Sequence, residues 1–329
     1  MKVLKGKLAG LSMLVLLLIL SACGGGADTK TEGASASPSA SPTAASQPEK
    51  RKVAHSMGES DVPSAPKRVV ILTNEGLEAL LALGVKPVGA VQGFTGNPWY
   101  DHLKSELDGV TNVGKESEPN IETIASLKPD LIIGNKMRHE KIYDQLKAIA
   151  PTVYSETLRG AWKQNFLFYS EAVNKKAEGE KIIADFDKRV DDIRSKLGDK
   201  INTKVSLVRF MPGDTRIYYK DTFAGIILEQ IGFKRPDSQN KNEFAATKVP
   251  KERTPEMDGD IIFYFTYETG NGEASKLEEE WTKDPLWQNL SAVKAGKVVK
   301  VDDVIWNTAG GVKAAFLLLD DIKKQFGLS

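Results

Sequence analysis

NKKAEGEKIIADFDKRVDDIRSKL, residues 174–197, is the stretch on which the reading of the fold turns. Its large apolar residues Ile182, Phe186, Val190, Ile193 and Leu197 recur at helical spacing, with charges between them. Asn174 is the expected cap. Twenty-odd residues at about 1.5 Å each give a rod of about 33 Å, roughly the width of a domain. Strands and helices alternate on both sides of it. Upstream, 67–72 reads as a strand, and Thr73 and Asn74 can cap a helix over 75–83. A strand over 85–91, a short helix over 120–127, a buried strand over 130–134 and helices over 140–150 and 162–173 follow. Downstream come a strand over 204–210, a helix over 223–231, strands over 260–266 and 297–301, and a last helix over 311–326. The pattern predicts an α/β fold with largely parallel sheets. Its two lobes, 51–173 and 199–329, are joined by one long helix at 174–198.

The chain has 329 residues, enough for one large or two ordinary domains. Lys and Arg number 45 against 44 Asp and Glu. That balance leaves no net field to attract a nucleic acid or another polyanion, and no nucleic-acid partner is expected. Lys2, Lys5 and Lys7 precede an apolar run over 11–20, followed by Ser21, Ala22 and Cys23. A charged start, a short apolar centre and small residues at the exit predict a secretory signal over 1–22. The run is shorter than the roughly 20 apolar residues a membrane-spanning helix needs. Cys23 is the only cysteine, so it has no intramolecular disulfide partner. Its setting, LSACG at 20–24, resembles the lipobox of bacterial lipoproteins. In that family the thiol receives a diacylglycerol and becomes the mature N-terminus. The resemblance implies a protein lipid-anchored on the extracytoplasmic face of the cell membrane, held stably by two or three acyl chains. Residues 23–50 are rich in Gly, Ser, Ala, Thr and Pro and read as a flexible tether.

No chemistry of catalysis stands out. There is no G-x-S-x-G elbow, no phosphate-binding G-x-x-x-x-G-K-[ST] loop and no G-x-G-x-x-G after a strand. The pairs Asp302-Asp303 and Asp320-Asp321 read as solvated carboxylates at element ends. His55, His102 and His139 share no metal-binding spacing, so neither a metal site nor a cofactor is expected.

Several segments carry a resemblance in order along the chain: PKRVV at 66–70, EALLALGVKPVG at 78–89, NIETI at 120–124 and LKPDLI at 127–132. LKAIAPTV at 146–153, DPLW at 284–287 and LSAVKAGKV at 290–298 continue it. Together they resemble the ferric-siderophore and vitamin B12 binding proteins of ABC importers. The resemblance implies two Rossmann-like α/β lobes bridged by a rigid helix, a ligand cleft between the lobes and only small closing motions. It also implies a monomer that delivers its ligand to an importer permease and is not an enzyme. NKMRHEK at 135–141, RIY at 216–218 and WNTAGG at 306–311 look like receptors for carboxylate-bearing siderophores, citrate-based hydroxamates or α-hydroxycarboxylates such as the staphyloferrins. Iron would then arrive wrapped in its chelator, with no protein ligand of its own. Heme, cobalamin and catecholate iron remain alternatives, and a lipoprotein enzyme or adhesin is the reading from another class.

An arginine fork suits bare carboxylates because it donates two parallel hydrogen bonds. Arg138 lies just beyond the strand over 131–134, where α/β sheets place their ligand loops. Arg209 ends a strand and Arg216 follows a Pro212-Gly213-Asp214 turn, and either could instead pair with a nearby Asp. Arg159 and Lys163 read as surface charge, and His139 is the histidine beside the expected cleft. Tyr218, Trp162 and Trp306 are candidate apolar walls with polar tips. Asn307 can donate to a ligand oxygen or cap the last helix. In the resembling family an exposed acid from each lobe meets arginines of the permease, which here implies Glu122 and Glu252.

Overall fold

The computed structural model describes residues 49–328. The signal segment 1–22, Cys23 and all of the tether before Glu49 lie outside the described residues. The ordered body opens on a hairpin, β1 (Lys50–His55) and β2 (Gly58–Pro63), so Lys50 begins a strand where the tether was expected to reach. Ser56 and Ser60 donate to the backbone carbonyls of Tyr154 and Thr152 and fasten this hairpin to the first lobe.

That lobe is a six-stranded sheet. Its strands are β3 (Val69–Ile71), β4 (Gly89–Gln92), β5 (Thr111–Lys115), β6 (Glu118–Pro119), β7 (Leu131–Asn135) and β8 (Thr152–Ser155), in the order β6-β5-β4-β3-β7-β8. All neighbours run parallel except β5 and β6. Every residue of β3, β7 and β8 is buried. This is why 67–72 and 130–134 read as unbroken runs: helices cover both faces of a parallel sheet. Thr73 caps the helix Asn74–Ala82 by accepting from the Gly76 amide, while Asn74 lies inside it and bonds elsewhere. The helix expected over 140–150 is a 3-10 turn at Glu140–Ile142 followed by a helix at Tyr143–Lys147, and one helical turn at Lys136–His139 precedes it.

The second lobe is a five-stranded sheet of β9 (Val205–Met211), β10 (Asp214–Tyr218), β11 (Ala245–Ala246), β12 (Ile261–Thr266) and β13 (Val298–Lys300), ordered β11-β10-β9-β12-β13. β9, β12 and β13 are parallel. β10 folds back antiparallel on β9 through Gly213, whose φ of +66° is the left-handed conformation a glycine adopts freely.

A 22-residue helix, Lys176–Leu197, connects the lobes and spans about 33 Å. It buries Phe186, Val190, Ile193 and Leu197. Asn174 does not cap it: the cap position is Lys175, and Asn174 adopts φ +59° and donates its amide to the Ser64 carbonyl. The side chain that was to start the helix instead ties its entrance to the first lobe. The connecting helix packs on Trp162–Ala172, Phe223–Ile231 and Val312–Phe326, and the last of these also packs on Asn74–Ala82. At that contact the buried Glu78 carboxylate accepts from the Ala314 amide at 2.9 Å and from His102 at 2.6 Å. An acid of the first lobe thus satisfies an orphan amide at the start of the final helix.

Candidate functional site: an arginine-lined cleft

A cleft of about 410 Å³ opens between the two sheets. From the first lobe it receives Glu75 at a helix start, Phe94 beyond β4, Glu116 beyond β5, Met137 and Arg138 beyond β7, and Arg159 beyond β8. From the second it receives Arg209 and Met211 of β9, Arg216 and Tyr218 of β10, Tyr267 beyond β12, and residues 307–310 beyond β13. Most of these follow the carboxyl ends of parallel strands, where the chain leaves the sheet and backbone groups and side chains are free to face a ligand. Residues 304–308 form one π-helical turn, so Asn307 borders the cleft and does not cap the last helix, which starts after Gly311.

Four arginines meet here, each beside an acid. Arg209 is 5% exposed and grips Asp303 with both arms, Nε to Oδ1 at 2.6 Å and Nη2 to Oδ2 at 2.9 Å, while Nη1 donates to the Tyr218 hydroxyl at 3.0 Å. Burial works against its charge, but the Tyr218 oxygen and the Asp303 carboxylate outweigh burial and hold it above its ordinary value. Asp303 is therefore a buried partner and not the solvated carboxylate expected of the 302–303 pair, whereas Asp302 is exposed. Asp321 likewise has a structural task, accepting from the Trp306 ring nitrogen. Arg216 bonds Asp214 through Nε at 2.7 Å, and Arg138 bonds Glu116 through Nε at 3.2 Å. Among the described residues no hydrogen bond engages the terminal amino groups of Arg138 or Arg216, so each is aimed by an acid and keeps donors for something else.

Arg159 corrects an expectation. It was read as surface charge, yet it lines the cleft, its guanidinium 4.2 Å from the centre of the Phe244 ring and 4.0 Å from Asp221. Lys163 pairs with Asp187 of the connecting helix and stays out of the cleft. His139 also stays out. It is buried, its Nδ1 accepts from the Asn135 amide at 3.1 Å, and its Nε2 donates to the Glu116 carbonyl at 2.8 Å. Burial lowers its pKa, so the ring serves as a neutral brace between β7 and the turn that carries Glu116.

Both tryptophans were misplaced by the sequence reading. Trp162 is 1% exposed and packs edge-on against Phe186 and Phe223, which makes it core beneath the connecting helix. Trp306 is fully buried, lies 4.7 Å from the Phe263 ring and gives its N–H to Asp321. Tyr218 does border the cleft, but its hydroxyl is occupied by Arg209. The apolar part of the mouth comes from Phe94 and Met137, 40% and 46% exposed, neither of which the sequence singled out.

Two acids were also missed. Glu116, 5% exposed, accepts from the Asn74 backbone and side-chain amides at 2.9 and 3.0 Å and from Arg138. In the sequence it sits in a polar turn that looks like surface. Glu75 is 6% exposed, and burial pushes its carboxyl up to about 8 against the opposing hydrogen bonds of Tyr169 and Asn165. Among the described residues no group of three or more His, Cys, Asp or Glu is arranged to hold a metal ion. None of the described helices is long and apolar enough to cross a membrane.

Glu122 is exposed in the first turn of the helix Ile121–Ser126, whose cap Asn120 accepts from the Thr123 amide. Glu252 is exposed in the 3-10 segment Lys251–Met257. Its basic neighbours are engaged elsewhere, Lys251 with Glu280 and Asp284 and Arg253 with Glu256.

The sequence model of the family described as periplasmic binding protein matches residues 69–304. Over 321 residues, 95% of both chains, the protein is 54% identical to one of Bacillus subtilis (strain 168) named "Probable siderophore-binding lipoprotein YfiY". It is 31% identical over 330 residues, 99% of both chains, to the Fe(3+)-citrate-binding protein YfmC of the same organism. The crystal structure of Staphylococcus aureus SirA complexed with staphyloferrin B is 35% identical and matches with a TM-score of 0.78, over 85% of this chain and 99% of that one.

Proposed function

Because the chain belongs to the periplasmic binding protein family, we propose that it captures ferric siderophores outside the cytoplasm and delivers them to the permease of an ABC importer. The observation that carries this reading is the meeting of four arginines from two lobes in one cleft. A chelate built on citrate or another α-hydroxycarboxylate presents bare carboxylate oxygens, and the terminal donors of Arg138 and Arg216 suit them. Arg159 and Asn307 add donors at the mouth, and Phe94 and Met137 offer apolar contact to the chelator's backbone. Arg209 contributes as a fixed positive group, held by Asp303 and Tyr218. Trp162 and Trp306 have no place in this set. Iron enters as cargo, bound through the chelator, and the role is capture and delivery without catalysis.

Cys23 is the proposed lipid anchor on the outer face of the cell membrane, and the protein works as a monomer. Glu122 and Glu252 are the proposed contacts with the permease, one per lobe. Two charge pairs far apart fix orientation and report lobe spacing. Relatives whose names refer to siderophores and ferric citrate support the class of cargo. The test is a panel titration followed by intrinsic tryptophan fluorescence: ferric citrate, ferric staphyloferrin B, a ferric trihydroxamate without carboxylates, heme and cobalamin. Quenching at micromolar or lower concentration by the carboxylate chelates is the expected result. Binding of heme or cobalamin alone, or of nothing in the panel, overturns the proposal.

A further inference from the structure

Glu75 borders the same cleft and holds none of its arginines. It stands in the first turn of the helix Asn74–Ala82, nearly removed from water, and no cation pairs with it among the described residues. The four arginines of the cleft are held by Glu116, Asp214, Asp303 and Asp221. The ionisable groups nearest to it on its own helix and from the turn after β5 are acids, Glu78 and Glu116. The helix Trp162–Ala172 presents the Tyr169 hydroxyl, which donates to Glu75 Oε1 at 3.0 Å, and the Asn165 amide. At the entrance to the final helix Gly311 packs against the Glu75 backbone carbonyl, and the cation of that segment, Lys313, is paired with Glu106. Across the cleft, residues 307–310 are uncharged. A helix N-terminus favours a negative group. A buried carboxylate with two acids for neighbours and no cation still does better by taking up a proton.

We propose that Glu75 remains a protonated carboxylic acid at neutral pH and donates a hydrogen bond to an anionic oxygen of the bound chelate. This rests on the reading of the cleft as a ferric-chelate site and narrows its substrate class. A ligand must present a bare carboxylate or alkoxide oxygen to the first-lobe wall as well as to the arginines. Losing the proton would set one anion against another, so affinity falls as pH rises through the carboxyl's value of about 8. Between pH 7 and pH 9 that loss is about tenfold.

The experiment is a fluorescence titration of the full chain with ferric citrate and ferric staphyloferrin B from pH 6.5 to 9, for the wild type and Glu75→Gln. The amide keeps a donor but has no proton to lose. The wild type is expected to weaken about tenfold between pH 7 and pH 9, and the variant's decline over the same range to shrink below about twofold. Circular dichroism and melting curves verify that the variant is folded. Parallel pH profiles in two folded proteins overturn the assignment, and so does a wild-type affinity that stays flat to pH 9, which needs no variant. If neither chelate quenches the wild type at pH 7, the ferric-chelate reading itself falls and this inference falls with it.

Discussion

Two arginines face each other in the second lobe, because Arg209 on β9 and Arg216 on β10 are directly opposite in register. Like charges so placed repel, and each comes with its own carboxylate, Asp303 or Asp214. Asp303→Ala would leave Arg209 buried and unpaired. Breaking a buried pair from one side costs about 3–5 kcal/mol, and urea unfolding should read a loss of that order. A change below about 1 kcal/mol would show that water reaches the pair. Glu75 supplies a pH signature. Its folded value of about 8 lies above its ordinary 4.5. The folded state therefore keeps a proton that the unfolded chain releases, and stability is lost as pH rises from 4.5 through about 8. Glu75→Gln should lack this decline, and an unchanged urea midpoint profile between pH 5 and 9 would contradict it. At this scale the sequence revealed the donors and the nearby acid Asp214, but not the distant partners Glu116 and Asp303. Arg138 could be picked by its position after a strand, Arg209 by its place at the end of one and Arg216 by the turn before it. Asp303 could not be assigned, because it reaches Arg209 across 94 residues of chain and only the fold joins them. Trp162 and Trp306 failed for the same reason, since an aromatic ring is equally at home in a wall or a core and neighbouring elements decide which.

Elements with a strong apolar period were the legible ones. The helix Phe223–Ile231 matches its expected bounds, and the connecting helix, expected over 174–198, runs over Lys176–Leu197. The β1–β2 hairpin was overlooked because its alternation is faint: only Val53 of β1 is fully buried, and the segment continues the polar character of the tether. The strand after Gly213 was hidden behind a turn that proved to be a hairpin corner. The junction between Asn74–Ala82 and the final helix is tight enough to test. A Cβ on Gly311 would lie 2.6 Å from Glu78 Oε2 and 2.9 Å from the Glu75 carbonyl. Gly311→Ala should cost about 1–3 kcal/mol by overpacking, read as a lower melting temperature. Wild-type stability in that variant would mean the two helices separate freely.

The body is two large sheets and the β1–β2 hairpin, the large sheets held across a cluster of helices in which Lys176–Leu197 and Val312–Phe326 pack together and against their neighbours. Glu122 and Glu252 lie exposed in separate lobes. The double variant Glu122→Ala, Glu252→Ala should bind its chelate normally and fail to support uptake, and normal transport at normal abundance would place docking elsewhere. Cys23→Ser should free the processed protein from the membrane fraction, and continued retention would count against the anchor. The architecture was legible because the long helix and the alternation around it are local patterns, whereas the cleft's pairings needed the lobes assembled. The most direct test of the account is a fluorescence titration of the wild type and of Arg138→Ala with ferric citrate and ferric staphyloferrin B. The account predicts saturable quenching of the wild type at micromolar or lower concentration and a loss of about 1.5–3 kcal/mol in the variant, roughly ten- to hundredfold. Equal affinity in the two proteins, or no quenching in either, would contradict it.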